Sequence, residues 1–426
     1  MYRYRIEDEW ISSICDFPRN PNGVILEPMN NSLYVVTWGN NAPIYEVDLK
    51  KFWENPYPDL KLMREKNPIC FVPQLHSTLF TKRNSISENE KKIDIFSSVQ
   101  PGGLMTTLMG ENMMRKDGES HQLERKAILP SISPKTVKNI WKEHFIKNTE
   151  KILYQIKRKE KGDLIKDFAL PVSAEALKTV TGLSNMAFTE MDRVSQGMID
   201  GIANISGDPL IEANCHNCTQ SIDNHIDEML PIIKKSPNHS LLSVQHQAGL
   251  SETQNRANIK LAISGGQNEP RDAIAGTVWA LLKNKNQLNL ILEGKSTWLN
   301  AFEEYSRWIS PIGMSPRRVA KNAIIESIEF TKNERIFFMF GSGNRDEDVF
   351  DNPEVFNIKR KLSASLAFGA GPHFCAGAWI SRCLIGEVAL PLLFKCFPKI
   401  KLNQNYSEVK FTGWAFRGPL EVNCIY

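Results

Sequence analysis

The residue with the clearest chemical potential is Cys375, in the glycine-rich stretch Phe368-Gly369-Ala370-Gly371-Pro372-His373-Phe374-Cys375-Ala376-Gly377. Its three glycines allow unusual backbone dihedral angles and close approach to a flat ligand, and Phe368 is placed to pack beside the sulfur. Residues 377–394 are predicted to be helical, and a cysteine at a helix N-terminus is stabilised as thiolate. The pattern predicts an anionic metal ligand, whereas the ordinary alternative is a buried cysteine in a turn.

Composition restricts the class of protein. A chain of 426 residues, 42% apolar and 23% charged, is folded and globular rather than disordered. Its longest apolar run, residues 388–394, is much shorter than the ~20 residues of a membrane span and contains Pro391. Residues 1–10 mix charges with tyrosines, unlike a secretion signal, and eight scattered cysteines do not form a disulfide framework. We therefore expect a cytoplasmic protein without a membrane span.

Two other binding functions are disfavoured. Cys215 and Cys218 have metal-ligand spacing, but no second pair accompanies them, and His216 lies between them, so we interpret them as ordinary cysteines. A net charge of +4, from 52 basic and 48 acidic residues, is too balanced to indicate a nucleic-acid partner.

The periodicity of apolar residues predicts one mainly helical domain with small β-sheets. Residues 69–72 and 78–81 favour two short strands around a turn at residues 74–76. Helical spacing covers most of residues 133–235, and further helices are predicted at residues 298–308 and at 256–282, the latter interrupted by Gly265, Gly266 and Pro270.

The cysteine stretch matches F-G-x-G-x-H-x-C-x-G, the haem loop of the cytochromes P450, at every specified position, so the chain resembles that family. The resemblance implies a cytochrome P450 fold over residues 46–426, after an N-terminal extension, residues 1–45, of unknown role. It also implies haem b (iron protoporphyrin IX) with Cys375 as the iron ligand. The haem is expected between the long oxygen-side helix and the helix after the cysteine loop, with Phe368, Gly369 and Gly377 against it.

A second family motif precedes the loop. Glu304-Tyr305-Ser306-Arg307 is similar to E-x-x-R, and the segment from Asn344 to Arg360 resembles the family segment between that motif and the haem loop. The resemblance implies a buried network of Glu304, Arg307 and Arg360 that holds the cysteine loop in place, a structural rather than a catalytic role. The alternative is a solvated i, i+3 ion pair, which contributes little.

The two haem propionates require cationic donors, and arginine is the natural choice. His121 and Arg125 match the family's H-x-x-x-R, Arg318 in Arg318-Val319-Ala320 resembles a third donor, and His373 a fourth. The alternative is that each of them is a surface residue.

The oxygen-side helix departs from the family pattern. Gly265 and Gly266 align with its glycines, but Asn268 stands at the position of the usual acid and Glu269 at that of the usual threonine. Pro270 is expected to kink the helix and leave the Gly266 carbonyl free. Our hypothesis is that Glu269 relays protons with a pKa raised by burial. A substrate-binding carboxylate and a local ion pair with Arg271 are the alternatives.

The Glu-Pro pair is similar to the branch containing bacterial guaiacol O-demethylases, as are residues 55–57, 71–73 and 413–419. The chain departs from that branch where its pocket is expected, with Gly313, Met314, Ser315 and Pro316. We predict that the last three and Phe416 line the substrate pocket.

The resemblance implies a monooxygenase that inserts one oxygen atom of O2 into a small hydrophobic or aromatic substrate, by hydroxylation or O-dealkylation. Electrons would come from separate partners, a ferredoxin with its reductase or a fused flavin and iron–sulfur reductase. The missing threonine keeps a peroxide-driven or non-oxygenating enzyme as an alternative. A non-catalytic haem-thiolate binding or sensor protein is the alternative outside enzymes.

Overall fold

A computed structural model describes residues 41–204, 207–404 and 408–426, together with the backbone of two strands, Val24–Glu27 and Ser32–Val35. The predicted extension, residues 1–45, therefore lies mostly outside the described residues. In the described part, no helix combines the length and the apolar character needed to cross a membrane.

Helices make up most of the chain. The α-helices of the described residues, in chain order, are α1 Leu49–Glu54, α2 Tyr57–Lys66, α3 Arg83–Asn89, α4 Leu104–Met109, α5 Gly118–Ile132, α6 Pro134–Thr136, α7 Lys142–Ile156, α8 Leu170–Thr181, α9 Phe188–Ile202, α10 Pro209–Lys235, α11 Leu241–Gln247, α12 Glu252–Ser264, α13 Asn268–Lys283, α14 Lys285–Leu292, α15 Trp298–Ile309, α16 Phe340–Gly343, α17 Ala378–Ser381 and α18 Leu390–Cys396. Wider π-type turns cover Val137–Trp141, Ile165–Ala169 and Arg382–Ala389, and tighter 3-10 turns cover Pro73–Leu75, Met113–Arg115 and Gly371–His373.

The strands are short and form small sheets. They are β1 Val24–Glu27, β2 Ser32–Val35, β3 Ile69–Val72, β4 Ser77–Phe80, β5 Phe96–Ser97, β6 Lys161–Asp163, β7 Ser315–Val319, β8 Ala323–Ile325, β9 Ile328–Phe330, β10 Arg335–Phe338, β11 Lys401–Leu402, β12 Phe411–Thr412, β13 Gly418–Pro419 and β14 Asn423–Ile425. The largest sheet has the order β3-β4-β10-β7-β5, in which β4 and β10 are parallel and the other pairs antiparallel. The predicted pair of strands near residue 70 is confirmed as β3 and β4.

The predicted long helix over residues 256–282 is two helices. A capping box begins α12, since the Ser251 hydroxyl accepts from the Gln254 backbone N–H and the Gln254 side chain from that of Ser251. The helix ends at Ser264 with Gly265 as its C-cap, and α13 begins at Asn268. Pro270 is the third residue of α13, where a missing N–H breaks no helical hydrogen bond. The predicted kink at Pro270 is thus a break over residues 265–267.

The large core lies among the helices and positions the site. Phe145 and Phe168, both fully buried, belong to the same cluster as Tyr305 of α15 and Ile385 of the Arg382–Ala389 turn. The α15 helix packs against that turn and against α13, and the rings of Trp279 and Trp308 stack with centroids 6.0 Å apart. The fold is mainly helical with small sheets, as predicted.

Candidate active site

An internal cavity of about 2420 Å³ opens beside Cys375. The cysteine loop, the break between α12 and α13, and strand β7 all contribute to its lining, including Phe368, Gly369, Gly377, Gly265 and Gly266. Its volume exceeds the ~300–1,000 Å³ of ordinary ligand pockets. The cavity is therefore large enough for a sizeable cofactor together with a substrate.

Backbone hydrogen bonds fix the cysteine loop. The Cys375 N–H donates to the Phe368 carbonyl at 2.9 Å, and the Phe374 N–H to that of Gly371 at 3.2 Å. Gly371 has φ +63°, and a Cβ there would lie 3.0 Å from the carbonyl oxygen of Glu90. Only glycine fits this turn without strain.

The surroundings of the Cys375 thiol have opposing effects. Burial within the protein raises its pKa, and Glu269 raises it further. The N–H of Gly377 and the guanidinium groups of Arg125 and Arg382 lower it. Since a metal ion deprotonates a thiol that it binds, these groups favour a thiolate once a cation is present.

Glu304, Arg307 and Arg360 lie together, as predicted for the structural network. Arg307 donates to both carboxylate oxygens of Glu304 at 2.8 Å, and Arg360 Nε donates to Oε1 at 3.2 Å. Glu304 and Arg307 are fully buried. A buried bidentate pair is strongly directional, so it fixes the position of its partners.

The network reaches the cysteine loop through Asn344. Arg307 Nη1 donates to the Asn344 carbonyl at 2.8 Å, and the Asn344 side chain accepts from the Leu366 N–H at 2.6 Å. On the other side of the loop, the Glu90 carboxylate accepts from the Ala370 N–H at 2.6 Å. The loop is thus held on both sides of Phe368.

Four arginines in the described part of the chain line the cavity, Arg115, Arg125, Arg317 and Arg335, of which Arg335 donates to the Ser77 hydroxyl and the Leu75 carbonyl. Arg317 pairs with the buried carboxylate of Glu90 at 3.2 Å. Burial and the nearby Arg317 lower the pKa of Arg115 to about 10. The cluster has more positive than negative charge, and it is suited to an anionic group.

Arg318 is placed differently from the prediction. Successive side chains of a strand point to opposite faces, so Arg317 and Arg318 of β7 diverge. Arg318 donates to the Val99 carbonyl at 3.1 Å and to the Asn333 side chain at 3.0 Å, and it is not among the cavity-lining residues. The structure brings Arg317 to the cavity instead.

His121 and His373 stack with ring centroids 4.2 Å apart. His373 lines the cavity and lies 2.9 Å from an oxygen of Asp117, whereas His121 is not part of the lining. Burial lowers the pKa of His121 to about 4, with contributions from His373 and Arg125. His121 is therefore neutral near pH 7, and its ring packs against the ring of His373.

Glu269 faces the cavity from the first turn of α13. Neither of its carboxylate oxygens accepts a hydrogen bond from another residue in the described part of the chain. Burial raises its pKa to about 7, an effect that its own backbone N–H partly offsets. Asn268 is buried but does not line the cavity.

Met314, Ser315, Pro316 and Phe416 all line the cavity, where the sequence analysis predicts a substrate pocket. Sequence reasoning missed Glu90, Arg115 and Arg317. A buried carboxylate far from any motif gives no signal in a single sequence. For Arg317 the signal was present in the pair Arg317-Arg318, but a one-residue shift of register exchanges the two faces of a strand.

The residues around the cavity fit haem. The Cys375 thiol, whose pKa is raised by burial and lowered by nearby donors, can bind iron. The arginine cluster can bind the two propionates. Apolar surface for the flat ring comes from Phe368, Ala376 and Leu384. Together the fold and the site define a haem-thiolate protein.

Comparisons with known proteins agree. The family model "Cytochrome P450" matches residues 299–400, which contain E-x-x-R and the cysteine loop. Pulcherriminic acid synthase of Bacillus subtilis is 24% identical over 89% of this chain and 97% of its own length. A polyketide biosynthesis cytochrome P450 of the same organism, PksS, is 24% identical over 89% and 91%. The crystal structure of P450BioI with a ligated acyl carrier protein has a TM-score of 0.81 at 20% identity, covering 89% of this chain and all of the other.

By these matches and by its cysteine loop, the chain resembles the cytochromes P450. It is a haem-thiolate oxidoreductase, a monooxygenase that uses O2, electrons from redox partners and an organic substrate. Bound haem would supply the activation of O2, and the protein would supply the cavity that holds and orients it.

Proposed function

We propose that the protein hydroxylates or O-dealkylates a hydrophobic or aromatic substrate, and that Glu269 is its catalytic carboxyl group. Cys375 ligates the iron, and Arg115, Arg125, Arg317 and His373 hold the propionates. Glu269 carries the reaction-specific part of the proposal. It is a buried carboxyl group beside the cavity that accepts no hydrogen bond from another described residue, and burial raises its pKa to about 7, as a proton donor requires.

Two observations support the proposed substrate class. Met314, Pro316, Phe416 and Ala273 present apolar surface to the cavity, and Ser315 adds a hydroxyl that could orient one polar group. Aromatic methyl ethers combine these properties, and hydroxylation of their methyl group ends in O-demethylation. The similarity to guaiacol O-demethylases remains a prediction.

We further propose that electrons come from a ferredoxin with its reductase, or from a fused flavin and iron–sulfur reductase, and that the protein works in the cytoplasm. The described cysteines are all free thiols, as in a reducing compartment.

The first experiment is the absorption spectrum of the reduced protein with carbon monoxide. A strongly red-shifted Soret band is expected for the native protein and should be lost in Cys375→Ala. A band typical of histidine-ligated haem in the native protein would contradict the assignment of Cys375.

The second experiment tests Glu269. We expect Glu269→Gln to lower the product formed per reducing equivalent by about 10²-fold or more, since positioned proton transfer contributes ~10²–10⁴-fold. Screening would begin with methoxylated aromatics. If the variant forms as much product per reducing equivalent as the native protein, Glu269 does not relay protons.

A peroxide-driven reaction is the second candidate, favoured by the same carboxyl group. The Glu269 carboxylate, which faces the cavity, could take a proton from one oxygen of hydrogen peroxide and return it to the other. Turnover with peroxide, but none with reductant and O2, would select this function.

A further inference from the structure

Glu90 is a buried carboxylate that lies between the cysteine loop and the arginine cluster. One of its oxygens accepts from the Ala370 N–H at 2.6 Å, and the other pairs with Arg317 at 3.2 Å. The side chains of Glu90 and Arg317 are 2% and 4% exposed, and both residues line the cavity. Charges interact strongly in such a buried setting. A charge that enters the cavity beside Arg317 therefore also acts on the Glu90 carboxylate.

The charges around this pair are nearly balanced. The positive charge of Arg317 acts on Arg115 and on His373, and that of Arg125 also acts on His373. Asp117 acts on Arg317 and lies 2.9 Å from His373, whose pKa is lowered by burial. With the histidine neutral, three arginines and two carboxylates leave one net positive charge. Two haem propionates carry two negative charges, so this group becomes negative when it binds them.

Glu90 is the carboxylate of this group that can gain a proton. Burial raises its pKa to about 7, an effect that its two hydrogen-bond partners partly offset. Burial also acts to raise the pKa of Asp117, but hydrogen bonds from His373 and from the Ser97 hydroxyl hold it below its ordinary value. A negative charge nearby raises the pKa of a carboxyl group. Propionates in the cluster, and then an electron on the iron, therefore favour the protonated form of Glu90.

We propose that Glu90 takes up a proton when the bound haem is reduced, so that electron transfer into this protein is coupled to protonation beside the propionates. The inference rests on the proposed binding of the propionates by the arginine cluster and goes beyond it. One electron passes from the redox partner to the iron, and one proton passes from solvent to a Glu90 carboxylate oxygen. The negative charge of the electron is thereby offset within the same buried region. Arg317 then directs its charge to the propionates rather than to Glu90.

Proton uptake at Glu90 gives the midpoint potential of the haem a pH dependence. Because the added electron raises the pKa of Glu90, reduction takes up a proton at every pH between the oxidised-state and reduced-state values. In that range the potential should fall as the pH rises, by up to about 59 mV per pH unit, the equivalent of a tenfold change in a one-electron equilibrium. The propionates raise a pKa that burial already brings to about 7, so we expect the fall above pH 7.

The test is a spectroelectrochemical titration of the haem-loaded protein, repeated between about pH 6 and 9. Glu90→Gln keeps the shape of the side chain but does not titrate, so its potential should not change with pH in this range. Asp117→Asn is the matched control. It removes a carboxylate that stays ionised, and it should raise the potential at every pH while keeping the native slope.

Two further variants complete the test. Arg317→Gln removes the cation that favours ionised Glu90, so the sloping range should move to higher pH, which gives a second measurement if Glu90→Gln folds poorly. Glu269→Gln should keep the slope, although burial also raises the pKa of Glu269 to about 7. A native slope in Glu90→Gln, or a constant potential in the native protein, would overturn proton uptake at Glu90. Loss of the slope in Glu269→Gln alone would overturn it as well. The rate of haem loss from Arg115→Leu decides the propionate cluster separately.

Discussion

At the edge of the cavity, two neighbouring arginines of one strand have opposite surroundings. Arg317 lines the cavity and pairs with Glu90, whereas Arg318 binds Val99 and Asn333 and is not among the cavity-lining residues. Arg115 lines the cavity beside Arg317, whose positive charge lowers the pKa of Arg115 further than burial alone. The positive charges of Arg115 and Arg317 favour binding of the haem propionates. The rate at which a variant loses haem therefore shows whether the replaced side chain binds a propionate.

Replacing Arg115 should weaken haem binding, whereas replacing Arg318 should not. We expect Arg115→Leu to lose haem at least about tenfold faster, because a hydrogen bond to a charged group contributes ~1.5–3 kcal/mol and ~1.4 kcal/mol is tenfold. The rate of haem transfer to excess apomyoglobin measures this. Arg318→Leu is the control, with a rate close to native. Faster loss from Arg318→Leu than from Arg115→Leu would restore the assignment made from sequence.

Glu269 should give the reaction a pH dependence. Because burial raises its pKa to about 7, the neutral donor form dominates below pH 7 and is lost as the pH rises above it. Hydrogen peroxide released per NADH oxidised, with a surrogate ferredoxin and reductase, should therefore rise through pH 7. In Glu269→Gln it should be high and independent of pH. Glu334→Gln is a matched control, since burial also raises the pKa of Glu334 to about 7. Loss of the transition in that variant would show that Glu269 is the wrong residue.

At the scale of elements, the break between α12 and α13 brings the Glu269 side of α13 to the cavity. Its two glycines have different surroundings. A Cβ at Gly266 would lie 2.5 Å from the Ala262 carbonyl oxygen and 3.0 Å from Leu177, whereas one at Gly265 would meet only the Leu261 carbonyl oxygen, at 3.5 Å. The close contact at Gly266 therefore fixes the path of the chain through the break.

Replacing each of the two glycines with alanine should have different effects on stability. We expect Gly266→Ala to lower the free energy of unfolding by about 1–3 kcal/mol, the usual cost of overpacking. Gly265→Ala should change it by less than about 1 kcal/mol, since the added methyl group has room. Thermal unfolding of both haem-loaded variants measures the difference. Equal losses would show that the break is not fixed by the contact at Gly266.

The α15 helix supplies the network that holds the cysteine loop. Glu304→Gln leaves the buried charges of Arg307 and Arg360 uncompensated and should cost about 3–5 kcal/mol. The same change should shift part of the carbon monoxide complex from the red-shifted band to the position typical of histidine-ligated haem, because the loop loosens. Glu387→Gln breaks a half-exposed pair with Lys142 and should cost ~0–1 kcal/mol without the spectral change. A native spectrum for Glu304→Gln would show that the network does not hold the cysteine loop in place.

At the scale of the whole molecule, the sequence predicted the features that local pattern determines. The helical class, the strands β3 and β4, the helix after the cysteine loop and the cavity-facing positions of Cys375 and Glu269 can all be derived from spacing or from motif. The features it missed depend on tertiary contacts. Glu90 binds Ala370, 280 positions away, and Arg317 faces the cavity only through the register of β7 with β10. Pro270 lies in a helix rather than at a kink because the chain breaks three residues earlier.

Removing haem should destabilise the fold through the charges around the cavity. Without a bound dianion, no ligand charge offsets the repulsion of Arg115 by Arg317 in a cavity of about 2420 Å³. A ligand present at about 1,000 times its Kd stabilises the folded state by ~4.1 kcal/mol, so we expect the apoprotein to unfold about 5 °C below the haem-loaded protein. Thermal unfolding by circular dichroism measures both. Cys375→Ala loaded with haem should fall between them, because the propionate contacts remain and the iron–sulfur bond is lost. If that variant unfolds with the apoprotein, the arginine cluster contributes nothing to haem binding and the thiolate alone holds the cofactor.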